Sequence, residues 1–131
     1  MAELLVPISP GELIDKITIL EIKSARMTDA TKLHNVRTEL TLLNETWRAS
    51  AYSQVDISAE WTGLRDVNTQ LWDIEDHIRD QERDGKFDQK FIELARAVYV
   101  TNDERAAIKR RINAKLGSQL VEEKSYKEYR K

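Results

Sequence analysis

Leu64, Val67, Leu71, Ile74 and Ile78 step along the chain by three, four, three and four residues, and Leu33, Val36, Leu40, Leu43 and Trp47 keep the same rhythm. Only an α-helix, with 3.6 residues per turn, brings such positions onto one face. Two such seams must be covered by other helices, so an all-α chain of packed helices is the expectation. The composition agrees: 34% of residues are charged, and there are only four Gly and two Pro. That mixture favours helix over strand.

The punctuation divides the chain into four helices. "LLVPI" is a short extended lead-in, because Pro7 biases Val6 away from helix. Ser9 is the N-cap of helix 1, with Pro10 at the first helical position and Glu12 three residues after the cap, which predicts a complete capping box. Helix 1 is expected from about Pro10 to Met27. Thr28 or Asp29 can cap helix 2, and a connection falls near residues 50 to 57, where Asp56 or Ser58 can cap helix 3. Gly85 in "RDG" suits a left-handed C-terminal cap. Asp88 can cap a long fourth helix that reaches about Leu116 and stops at Gly117 and Ser118. In the tail "QLVEEKSYKEYRK", Leu120, Val121, Tyr126 and Tyr129 would fold back as a final turn or dock on the bundle. The expected architecture is one domain over residues 1–131, a mostly antiparallel four-helix bundle with a long fourth helix and a short C-terminal tail.

Polar residues interrupt the seams. Glu21 stands in the stripe of Leu13, Ile14 and Ile17; Asn68 and Glu75 fall in the arc of helix 3; Asn102, Arg105 and Lys109 occupy the middle of helix 4; Arg37 and Asn44 lie at the edge of helix 2. All are near mid-helix, so an antiparallel bundle would bring them to similar heights as one polar layer. An unpaired group there would cost about 1 to 3 kcal/mol, so the layer is internally satisfied, hydrated or open to a ligand. It is either a structural network or interface, or a pocket for an anionic small molecule. In a pocket, Arg105, Lys109 and Arg37 would hold a carboxylate or phosphate, and Glu75 or Glu21 would orient a hydroxyl or act as acid or base.

Other chemistry finds less support. There is no cysteine, which excludes a thiolate nucleophile and Cys-ligated metals. A di-metal carboxylate site needs Glu-x-x-His, and Thr31 and Ile74 stand three residues before His34 and His77. No metal or cofactor is expected, and no catalytic residue can be assigned. The charges nearly cancel, 21 basic against 23 acidic, which disfavours nucleic acid as a partner. The basic run "IKRRINAK" is the one local patch that could serve an acidic surface. Trp47, Trp61 and Trp72 read as core or interface anchors. The start of the chain lacks a basic n-region and an uninterrupted apolar stretch, and nowhere do 18 apolar residues run together. A cytoplasmic location is therefore expected.

Through "VPISPGELIDKITILEIKSARM", "NVRTEL", "VNTQLWDIEDHIRD", "FIELARAVYVTNDERAAIKRRIN" and "GSQLVEEKSY" the chain resembles a small bacterial family catalogued as a domain of unknown function. The resemblance covers almost the whole length and implies a setting beside sugar-transfer and cell-surface polysaccharide genes, but no reaction. A more distant one is confined to helix 1: "LIDKITILEIKSAR" is similar to the first helix of all-α chorismate mutases. It would match Arg26 to that family's arginine, with Lys32 or Arg37 as the next cation. Three function classes follow: an interaction or scaffold module, self-association included; an anion binder or small metal-free enzyme; and an adaptor through the basic end of helix 4. The first leads.

Overall fold

The computed structural model describes residues 3–130; Met1, Ala2 and Lys131, the last residue of the predicted tail, lie outside the described residues. Four helices form: α1 Pro10–Arg26, α2 Ala30–Ala49, α3 Ser58–Arg83 and α4 Gln89–Leu116, with a short 3-10 turn at Ala51–Gln54. They pack as a helical bundle, with no strand among the described residues.

The caps explain most boundaries. Ser9 Oγ accepts the Glu12 N–H at 3.2 Å, Asp29 accepts that of Lys32 at 2.9 Å, and Asp88 accepts that of Phe91 at 3.2 Å. Gly85 and Gly117 take φ of 65° and 68°, the left-handed conformation that releases the chain after α3 and α4. Two details differ from expectation. Only half of the capping box forms at Ser9, because the Glu12 carboxylate is drawn to Lys109 at 2.6 Å. Ile57, not Asp56 or Ser58, occupies the N-cap position of α3; Asp56 instead accepts the Ser58 N–H at 2.9 Å.

α1 touches all three other helices, whereas α2 packs chiefly on α1. The core gathers Leu13, Ile14, Ile17, Ile57, Leu64, Val67, Ile108, Ile112 and Leu116, with Leu40, Leu43, Trp47, Trp61 and Leu71 against it. Trp47 and Trp61 meet edge to face at 6.0 Å, so two of the three tryptophans anchor each other within the chain. Along α1, Gly11, Glu12 and Asp15 bond Asn113, Lys109 and Arg105 in turn, so α1 and α4 run antiparallel. Glu60 meets Lys115, and Gly63 lies beside Ile108, which sets α3 antiparallel to α4 as well.

The helices differ in length, and this shapes both ends of the molecule. α1 has 17 residues, against 26 in α3 and 28 in α4. Arg26, the last residue of α1, pairs with Asp73 at 2.5 Å, so the final ten residues of α3 project past α1 by about 15 Å. The hairpin tip around Ile74, Ile78, Phe87 and Phe91 is thus a two-helix structure. At the other end the lead-in, residues 3–8, forms no helix, strand or turn and is exposed. The tail forms no helix; it docks along α4, with Lys124 bonded to Asp103 and Tyr129 edge-on to Tyr99 at 4.9 Å.

Candidate functional site

α1 carries apolar residues around most of its circumference, since Leu13, Ile14, Ile17, Leu20 and Ile22 are all buried. Asp15 sits among them at 1% exposure. A charge there requires partners, and α3 and α4 supply them. Arg105 forks onto the carboxylate, donating from Nε to Oδ1 at 2.9 Å and from Nη2 to Oδ2. Asn68 Nδ2 donates to the same Oδ1 at 2.9 Å and to Thr18 Oγ1 at 3.0 Å, while the Thr18 hydroxyl donates to the Asp15 carbonyl at 2.9 Å.

One turn away lies a second group of charges. Lys109 donates to Glu12 Oε2 at 2.6 Å and to Glu122 Oε2 in the tail at 3.1 Å. Ser9 Oγ donates to the other Glu122 oxygen at 3.3 Å. The Gly11 N–H, orphaned at the start of α1, donates to Asn113 Oδ1 at 2.7 Å. This close crossing needs glycine: a Cβ at Gly11 would lie 2.6 Å from the Lys109 carbonyl oxygen.

The structure thus brings Asn68, Arg105 and Lys109 together and leaves the other sequence candidates apart. Glu21 accepts the Trp61 indole N–H at 3.2 Å, which is why a carboxylate can stand in that stripe. Glu75 is exposed and pairs with Arg79 at 3.3 Å. Arg37 is exposed on α2 and bonds Ser24 at 3.3 Å. Asn102 is half-buried and makes none of these bonds. Arg26 is a surface partner of Asp73. Sequence reading missed Asp15, Thr18, Asn113 and Glu122. The signal for Asp15 was available: Ile14, Ile17, Ile19, Leu20 and Ile22 leave α1 almost no polar side, and such a helix is buried all round.

Electrostatics follow from these contacts. Burial opposes the charge on Asp15, but the Arg105 fork, the Asn68 amide and nearby Lys109 outweigh it and hold the carboxyl below its ordinary value. For Lys109, burial is likewise opposed and overcome by Glu12 and Glu122, so its proton is held more tightly than usual. Glu122 is lowered, with Lys109 overcoming its own burial cost. A carboxylate locked in its ionised form is a poor proton carrier near neutral pH, where a general base needs a pKa close to the operating pH. The arrangement is suited to holding three helices and the tail in register. Among the described residues no group of three His, Cys, Asp or Glu gathers as a metal site would require.

These shifts set a pH profile. Asp15 and Glu122 have folded values below their unfolded ones, so their stabilisation is present above about pH 4 and is lost as pH falls through the lower folded value. Lys109 is raised, so its contribution is present below about pH 10 and is lost as pH rises through the higher folded value. Urea midpoints of wild type should therefore fall at both extremes, and Asp15→Asn should flatten the acid limb. An acid limb identical in the two proteins would remove Asp15 from this account.

Fold and site together define a compact class: an all-α bundle whose first and last helices are fastened by an ion pair between a buried aspartate and a half-buried arginine. The chain belongs to a family of unknown function (DUF6165), whose model matches residues 4–129. Comparison with curated proteins and with solved structures gives no match.

Proposed function

We propose that this chain is a protein-interaction module that presents uncovered apolar surface from a tightly fastened body. One observation carries this reading. Leu4, Leu5 and Val6 are 94%, 88% and 68% exposed, and Ile8 stands beside them at 38%. Contiguous apolar surface of this kind marks an interaction site. A polar cluster with its groups engaged supports the same reading over the anion-binding one: Arg105 is committed to Asp15, and Lys109 to Glu12 and Glu122. The adaptor reading loses Lys115 to Glu60 at 3.1 Å, which leaves Arg110 and Arg111 as the exposed cations of that run without an ion pair among the described residues. A cytoplasmic location goes with the interaction reading; no helix among the described residues is long and apolar enough to cross a membrane.

The test is a photo-crosslinking amino acid placed at position 5 and, as a control, at exposed Glu45 on α2, with irradiation in the cells that express the protein. A protein adduct of defined mass at position 5, absent at position 45, is expected. No adduct at position 5 would sink the proposal.

A further inference from the structure

Resting on that reading, we infer that the partner is a second copy of this chain, bound antiparallel about a two-fold axis, with each copy's N-terminal arm seated on the other's α3–α4 tip. Among the uncovered apolar side chains of one copy, two groups lie at opposite ends of the bundle. One is the arm, Leu4, Leu5, Val6 and Ile8. The other is the tip, where Phe87 is 59% and Ile92 47% exposed and Ile74, Ile78 and Phe91 are only partly covered, since α1 stops short of them. Phe87 packs edge to face on Phe91 at 5.2 Å, which gives the tip a fixed aromatic ledge. The tip also holds an orphan acceptor: Gln81 Oε1 is buried without a donor among the described residues. An arm outside any helix, strand or turn brings backbone N–H groups that need acceptors.

The arm cannot reach its own tip. Residues 3–8, fully extended, span at most about 20 Å. From Ser9 the tip lies the length of α1 plus the overhang away, on the order of 40 Å. Arm and tip can therefore meet only between copies. A two-fold antiparallel pair lets both contacts form at once and closes the assembly, which a head-to-tail arrangement would leave open. The areas fit. Counting roughly 100 Å² of apolar surface for each large aliphatic side chain, scaled by its exposure, each arm offers about 300 Å². Two arms and the surfaces they cover come to about 1,200 Å², the lower end of a stable interface.

The experiment is analytical ultracentrifugation of the purified full chain over a wide concentration range, for wild type, Leu5→Glu, Phe87→Glu and an equimolar mixture of the two variants. Wild type should be a dimer. Each variant should weaken dimerisation by roughly a hundredfold or more, because it removes an anchor from both reciprocal contacts. The mixture should recover part of the dimerisation, weaker than wild type but stronger than either variant alone, since the intact arm of one variant meets the intact tip of the other at one of the two contacts. Leu5 lies outside the packed core, so Leu5→Glu should keep the thermal midpoint of the dissociated wild type. A wild-type monomer, a mass that climbs past the dimer, an effect of only one variant, or a mixture that stays monomeric would each overturn the proposal. A monomer that still gives a position-5 adduct with another protein leaves the interaction reading standing while the second-copy inference falls. Capture of a monomer by phosphatidylcholine vesicles through Leu5 likewise overturns it in favour of a lipid surface.

Discussion

Arg105→Met should destabilise the protein by about 3 to 5 kcal/mol at neutral pH, enough to lower the thermal midpoint on the order of 10 °C or more. The loss falls on Asp15. With the guanidinium removed, a carboxylate at 1% exposure keeps only the Asn68 amide as a side-chain donor. Asp15→Asn should cost less, because Arg105 is 31% exposed and can turn its freed donors to water. Arg105→Lys should recover only part of the loss, since an ammonium cannot fork onto both oxygens. Combining Asp15→Asn with Arg105→Met should destabilise less than Arg105→Met alone, the signature of direct coupling. Urea unfolding of the four variants measures all of this. If Asp15→Asn proved the more damaging single change, the buried carboxylate would not be the vulnerable partner.

Gly11→Val should cost about 3 kcal/mol or more. A Cβ there would stand 2.6 Å from the Lys109 carbonyl oxygen and 2.9 Å from Asn113 Oδ1, and the first of these is backbone that cannot swing aside. Overpacking of this kind costs about 1 to 3 kcal/mol. Pushing α1 off α4 would also strand the buried Gly11 N–H, about 1 to 3 kcal/mol further. Gly63→Ala is the control. Its Cβ would meet only Ile108 Cδ1 at 3.6 Å, an ordinary contact, so the gain in helix propensity should stabilise by about 0.5 to 1 kcal/mol. Opposite signs for the two glycines are expected in the same urea titration; equal losses would contradict a tight crossing at Gly11.

The helices were legible because their signals are local. Asp29, Asp88, Gly85 and Gly117 act on neighbouring backbone groups, and each stands where its residue type leads one to expect. The seam of α2 was also legible as a helix, but its burial was not. Of Leu33, Val36, Leu40, Leu43 and Trp47 only Val36 is buried, since what covers a seam is decided by the packing of other helices. The polar cluster was legible in part for the same reason. Arg105 and Lys109 were visible as breaks in an apolar stripe. Asp15 was not, because a stripe model assumes that a helix has an outer side, and α1 has almost none. Glu75 fell in the arc of α3 by spacing but lies on the overhanging part, where no α1 residue comes down to meet it. Glu122 comes from a segment without periodicity, and its place against Ser9 and Lys109 depends on a tail whose course no local rule fixes.

The ion pair at the centre of the fold also sets an order of events during synthesis. Asp15 and Arg105 are 90 residues apart. At about 5 to 20 residues per second, a ribosome delivers the guanidinium roughly 5 to 20 s after the carboxylate. Until then the charge on α1 has no cation to offset it, and the face that α1 turns to α4 has no settled cover. The first helix made is therefore among the last to be locked. In that interval "LLVPI" and α1 form one continuous sticky segment on the nascent chain, open to a chaperone or to the neighbouring chain on the same message.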